Sequence, residues 1–261
     1  MKVISLGIYP VKGAKGISVP TLNALERGFE HDRRYMLIGE DGTFISQRTD
    51  PELVHVLPQI RGDQIHLHYK GHNFTIPLSE ATGNTVEATI FDKPVSAVEV
   101  SENANRWFSS VLAKEVRLVK MREEDVRHKE LIKGPEKVEV SFADGYPYLI
   151  VGTASLDKLN SQMDRPLRMD RFRPNIVIRT SEPHIEDTWE RIKIGSVEFM
   201  IIKQCARCQV VTIDQATGLS TAEPLKTLST YRKEDNKVYF GANAISRQEG
   251  LVHVGDEVEV L

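Results

Sequence analysis

A chain of 261 residues is long enough for one large domain or two modest ones with a substantial core. Its 40% apolar and 27% charged residues are ordinary globular composition and exclude a disordered chain. With 34 basic against 37 acidic residues, the net charge of −3 supplies no long-range field for nucleic acid or an anionic membrane, so neither is expected as a partner and any anion site must be local.

The opening run Lys2–Tyr9 is too short for a signal peptide and stops at Pro10 and Lys12. No later apolar stretch is long enough to span a bilayer, and a cytoplasmic location is expected. Over the first hundred residues, short strand-like runs alternate with turn signals: Lys2–Tyr9, Tyr35–Ile38, Thr43–Gln47, Gln64–Tyr69, Phe74–Leu78, Val86–Phe91 and Val95–Val100. Glu40-Asp41-Gly42 and Phe91-Asp92-Lys93-Pro94 read as hairpin turns. Such regular spacing predicts a barrel or sandwich. His66, His68 and His72 read as the wet face of a hairpin.

Ser101 is an N-cap for a helix whose apolar stripe is Trp107, Phe108, Val111 and Leu112. Arg122–Glu136 is charged, contains Gly134-Pro135 and reads as a long surface loop over a site. A second helix follows Thr153, with Leu156, Leu159 and Met163 on one face. Strand-like runs come next at Asn175–Arg179, Val197–Lys203 and Gln209–Ile213, then a turn at Asp214–Gly218. A short helix at Leu225–Tyr231 and a closing strand at Gly255–Leu261 complete the chain. The expected fold class is mainly β with some α, in two lobes divided at residue 118.

Four motifs carry candidate chemistry. The first is Cys205-Ala206-Arg207-Cys208, which holds both cysteines of the chain. A thioredoxin-like dithiol wants this motif at a helix N-terminus, but both flanks here are strand-like. Zinc needs about four ligands, and no second cysteine pair or spaced histidine pair follows. Two inert buried cysteines are the bland alternative, and the pattern alone leaves it open. Arg207 favours a functional thiolate, because a guanidinium stabilises charged sulfur.

The second motif is Arg171-Phe172-Arg173-Pro174-Asn175. Pro174 biases Arg173 toward extended backbone, and Arg173 and Asn175 would then point the same way. A charged fork and an amide suit a phosphate or a heterocycle edge, although on these residues alone a surface ion pair is the more usual explanation for the arginine. The third, Tyr9–Gly16, sets Lys12 and Lys15 among glycines like an anion-binding loop. The fourth, His31–Tyr35, runs charged residues into a strand.

Taken in order, these motifs resemble a known family along nearly the whole chain. Pro10-Val11-Lys12-Gly13, Asp32-Arg33 and Ser46-Gln47-Arg48 resemble the β-barrel domain found N-terminal to MOSC domains, here residues 1–118. Asp144, Ala154-Ser155-Leu156, Phe172–Asn175, Glu186–Trp189, Cys205-x-Arg207-Cys208, Thr212–Asp214, Thr217-Gly218, Glu223–Leu225 and Tyr231-Arg232 resemble the MOSC domain itself, here 119–261. The family includes the mitochondrial amidoxime-reducing component and bacterial reductases of N-hydroxylated bases.

The resemblance implies a molybdenum cofactor, Mo-molybdopterin, with Cys208 as the metal ligand and catalytic thiolate. It implies that Lys12, Arg33, Asp144, Arg173, Asn175 and Asp187 form the cofactor region. A buried charge-assisted contact of this kind is worth roughly 1.5–3 kcal/mol. Where the mitochondrial members carry Thr-Ser after the aspartate, this chain has Gly145-Tyr146, which would shift phosphate contacts there to backbone N–H groups. The implied reaction removes oxygen from the N–OH of a small molecule, an amidoxime or N-hydroxylated base. With no flavin fingerprint and no cysteines for an iron–sulfur wire, electrons are expected from a separate ferredoxin-type or flavin reductase. The rival reading is a cofactor carrier or sulfur-relay protein without turnover.

Overall fold

The apolar runs at Lys2–Ile8, Tyr148–Gly152 and Ile176–Arg179 meet in one sheet. The computed structural model describes residues 1–132 and 136–261. Its largest sheet has nine strands, in the order Ile17–Val19, Lys2–Ile8, Ile176–Arg179, Tyr148–Gly152, Lys237–Ser246, Val197–Ala206, Arg191–Ile194 and Val258–Val260, with Lys233–Glu234 beside Lys237–Ser246. Tyr148–Gly152 is buried at every position and reads as an unbroken apolar run, as a central strand covered on both faces must. It pairs in parallel with Ile176–Arg179, and the helix Thr153–Asn160 lies in the crossover between them.

Antiparallel pairing of Lys2–Ile8 with Ile176–Arg179 is what builds the site. It sets the segment around Ile8 beside the segment before Ile176, so Tyr9 meets Arg173 and Pro174, and Gly7 meets Asn175. Backbone bonds then tie in the next segments: Arg33 N–H donates to Tyr9 O at 3.0 Å, Lys12 N–H to Tyr35 O at 2.7 Å and Phe142 N–H to Arg33 O at 3.0 Å.

The remaining strands form smaller sheets. Tyr35–Ile38, Arg117–Lys120, Lys93–Glu99 and Thr85–Ile90 make one of four strands; Leu57–Arg61, Gln64–Tyr69 and His72–Pro77 form a meander. Fold class is as expected: mainly β, with three α-helices among the described residues. Ser101 caps the helix Glu102–Leu112, its Oγ accepting from Ala104 N–H at 3.3 Å, and Phe108 and Val111 are buried. The Phe91-Asp92 turn has positive φ at both residues (48° and 62°), the twist that a two-residue hairpin needs.

Three expected elements differ. Thr43–Gln47 makes only isolated bridges, because Ser46 O turns back to accept from Asp50 N–H at 2.9 Å. Gln209–Ile213 is not a strand; Gln209–Thr212 is a 3-10 turn that buries Val211 in the cluster around Phe172 and Phe240. Within Arg122–Glu136, His128–Glu130 is a strand paired with Lys137–Glu139, held by Leu131, Val138 and Tyr146 in a small apolar cluster. Gly134-Pro135 of that segment lies outside the described residues.

Candidate functional site

A cleft of about 410 Å³ opens where these segments converge, and Cys208 lines it together with Lys12, Arg33, Asp144, Arg173 and Asn175. Six expected site residues from five separate stretches of sequence therefore line one cleft. The seventh does not. Asp187 is absent from that lining and pairs instead with Arg232.

The two cysteines are in different surroundings. Cys205 is the penultimate residue of the strand Val197–Ala206 and packs partly buried against the cluster of Phe172 and Phe240, whose rings stack 4.0 Å apart. Cys208 follows the strand and is exposed on the cleft. Both thiols are free. Arg207 serves the first cysteine: its Nη1 lies 3.1 Å from Cys205 Sγ and its Nη2 donates to Phe172 O at 2.7 Å. The residue order alone suggests a guanidinium beside a functional thiolate without choosing between the two cysteines, and the structure places it on Cys205. It braces Cys205, and among the described residues its buried Nε has no hydrogen-bond partner.

Arg173 also departs from expectation. Its backbone is left-handed, φ 55° and ψ 47°, not extended. It closes the 3-10 turn Met169–Phe172, donating its N–H to Asp170 O at 3.1 Å. Arg33 has the same strained conformation, φ 53°. Each costs of order 1–3 kcal/mol, a cost that persists only where surrounding contacts fix the residue. Here the fixing contacts are plain. Arg173 Nη1 donates to Ala14 O at 2.7 Å, and the Arg173 and Arg33 guanidinium carbons lie 4.1 and 4.5 Å from the centroid of the Tyr9 ring.

Tyr9 was not nominated from the sequence. It is buried, its hydroxyl donates to Pro174 O at 3.1 Å, and burial pushes its pKa up to about 12 against the pull of the two arginines. Asp32 was missed as a site residue in its own right. Its buried carboxylate accepts from Tyr9 N–H at 2.8 Å, from Asn175 Nδ2 at 3.1 Å and from Arg33 Nη1. Asn175 is saturated: Oδ1 accepts from Leu149 N–H at 3.2 Å and from Arg33 at 3.3 Å, and Nδ2 donates to Gly7 O at 3.1 Å as well as to Asp32.

Lys12 donates to Phe142 O at 2.8 Å and pairs with Asp144. Burial lowers the Lys12 pKa, with Asp144 opposing. Burial alone would raise Asp144, but Lys12, joined by Arg33 and Arg48, outweighs it and holds the carboxyl below its usual range. Burial lowers Arg173 to about 10, helped by Arg33, so it stays charged at neutral pH.

Seven cations line the cleft (Lys12, Arg33, Arg48, Lys129, Arg173, Lys203 and Arg207) against one carboxylate, Asp144. Arg33 is matched by Asp32 and Lys12 by Asp144; among the described residues the other five form no ion pair. Arg48 lies instead over the rings of Phe44 and Phe91, at 5.7 and 5.3 Å. A chain with net charge −3 thus concentrates positive charge around one exposed thiol. Such a site can hold a polyanion and present a soft sulfur ligand to a metal.

Comparison with known proteins identifies the family of the chain. A family model described as the MOSC N-terminal beta barrel domain matches residues 1–115, and one described as the MOSC domain matches residues 137–259. The mitochondrial amidoxime-reducing component 1 of Danio rerio is 33% identical, over 98% of this chain and 83% of its own length. The human protein of that name is 31% identical over 99% and 82%. A molybdenum cofactor sulfurase of Danio rerio is 30% identical over 91% of this chain, but over only 31% of its own length.

Proposed function

The chain belongs to the MOSC-domain family, and from that premise we propose that it reduces N-hydroxylated small molecules, amidoximes and N-hydroxylated bases, with a molybdenum–molybdopterin cofactor held in the Cys208 cleft. The observation that carries this reading is the exposed Cys208 thiol in a cleft where, among the described residues, five cations lack a carboxylate partner. A pterin dithiolene bearing a phosphate is polyanionic and binds a metal through sulfur, which fits both features. Bound there, the group would supply the two-electron chemistry that cleaves an N–O bond.

The chain's own residues divide the remaining work. Cys208 would hold the metal. Arg173, Arg48 and Arg207 would offset the ligand's negative charge, while Tyr9 sets the height of Arg173 and Arg33. Asp32 and Asn175 act as positioning residues, because their polar atoms are already engaged by Arg33 and the backbone. Two cysteines cannot ligate a cluster that needs four thiolates, so electrons would come from a separate donor of ferredoxin or flavin type.

The similarity to a molybdenum cofactor sulfurase favours one second reading, a cofactor carrier or sulfur-relay protein. The deciding experiment supplies an anaerobic artificial reductant and benzamidoxime to protein purified from a cofactor-competent host. Substrate consumption in proportion to molybdenum content supports the reductase. Stoichiometric pterin with no consumption supports the carrier.

A further inference from the structure

Two ammonium groups lie over the ring of Tyr146: Lys129 Nζ at 5.3 Å and Lys203 Nζ at 5.5 Å from its centroid. The ring is only 5% exposed and its hydroxyl donates to Glu130 O at 3.0 Å, so this platform is fixed. Lys129 comes from the strand His128–Glu130 and Lys203 from Val197–Ala206, two positions before Cys205. Both line the cleft that Cys208 lines.

Beside them, Arg127 holds its guanidinium against the carbonyls of Ser141 at 2.9 Å and Ala143 at 2.8 Å. Arg127, Lys129 and Lys203 form no ion pair among the described residues, and the carboxylate of Asp144 is taken by Lys12. Lys129 finds only a carbonyl, donating to Asp144 O at 2.9 Å. Burial lowers the Lys129 pKa, and Arg127 and Lys203 lower it further against the pull of Asp144. Three cations drawn together near a single carboxylate that Lys12 already engages repel one another, and the arrangement is relieved when a dianion joins them.

We propose that Lys129 and Lys203, over the Tyr146 ring and backed by Arg127, form a subsite for the dianion of a phosphate monoester. The ligand's chemistry is set by two point charges, which suit a phosphoryl group and do not require the planar fork of an arginine. The phosphate comes either from the pterin cofactor itself or from a substrate carrying one, such as an N-hydroxylated base in nucleotide form. Both sources rest on the functional reading above; the subsite itself does not.

The first arm of the test is calorimetric titration of inorganic phosphate into protein made in a host without the cofactor. The double variant Lys129→Gln/Lys203→Gln should bind at least about tenfold more weakly than wild type, with an unchanged melting curve. Lys129→Arg/Lys203→Arg should restore binding. No phosphate binding by wild type, or equal binding by the Gln variant, overturns the subsite whatever becomes of the Cys208 reading.

The second arm uses protein from a cofactor-competent host. Loss of pterin from the Gln variant assigns the phosphate to the cofactor. Retained pterin, with KM raised only for a phosphate-bearing substrate, assigns it to the substrate. Retained pterin with unchanged KM for phosphorylated and neutral substrates alike overturns the proposal.

Discussion

The Arg173 guanidinium lies 4.1 Å from the centroid of the buried Tyr9 ring, and this contact joins the first strand of the chain to the turn that precedes Ile176. It holds a left-handed arginine in place at the wall of the cleft. Replacing Tyr9 by Leu removes the ring from both Arg173 and Arg33 and the hydroxyl from Pro174 O. The expected loss is about 2 kcal/mol of stability, seen as a lower urea midpoint, with weaker cofactor retention. Tyr9→Phe keeps the ring and should lose about 1 kcal/mol or less. Equal midpoints for wild type and the Leu variant would show that the stack does not brace the site.

Asn175 separates positioning from direct contact with a ligand. Its carboxamide makes four protein hydrogen bonds, so Asn175→Ala strands Leu149 N–H and Gly7 O in a buried place. We expect a loss of about 2–4 kcal/mol in the cofactor-free protein, measured by thermal and urea unfolding. A variant that unfolds like wild type and fails only to retain pterin would make Asn175 a direct ligand contact.

Off the cleft, Asp187 and His184 titrate in opposite senses. Burial raises Asp187 to about 6 in spite of Arg232, with Glu186 and Glu234 adding to the rise. Burial lowers His184 to about 4, helped by Arg232 and Lys158. Between about pH 4 and 6 the folded state holds more proton at Asp187 than the unfolded chain does, so that group's contribution falls as pH rises. Between about pH 4 and 6.5 the folded state holds less at His184, so that contribution falls as pH drops. In wild type the two slopes oppose each other. Asp187→Asn should therefore make stability fall on acidification from pH 6.5 to 4 more steeply than in wild type, and His184→Gln should tilt the profile the other way. Urea unfolding across that range checks both, and parallel profiles for all three proteins would refute the linkage.

Local features of the fold were legible in the chain because neighbours in sequence decide them. Ser101 declared a helix start, and Phe91-Asp92 a tight hairpin. The cleft was legible in part, since Lys12, Arg33, Arg173 and Cys208 sit in short motifs whose residue types suit anions and metals. What could not be read were contacts made by register. Pairing of Lys2–Ile8 with Ile176–Arg179 brings Tyr9 and Asp32 to Arg173 and Asn175, and no local pattern states that pairing. Pro174 argued for extended backbone at Arg173, but the turn Met169–Phe172 and the Tyr9 stack overrode it. Lys129 was hidden in a charged segment that reads as a loop until Val138 and Leu131 anchor it. The clearest signal passed over was Tyr9 itself, an aromatic directly before Pro10 in a motif weighed only for its lysines.

The cysteine pair gives the most direct test of the central claim. Cys205 is partly buried against Phe172 and Phe240 and braced by Arg207, whereas Cys208 is exposed on the cationic cleft. Molybdenum and pterin should be measured per mole of wild type, Cys205→Ser and Cys208→Ser, all made in a cofactor-competent host. The account predicts near-stoichiometric molybdenum in wild type and the first variant and a severe loss in the second. Equal molybdenum in all three, or none in any, would contradict it.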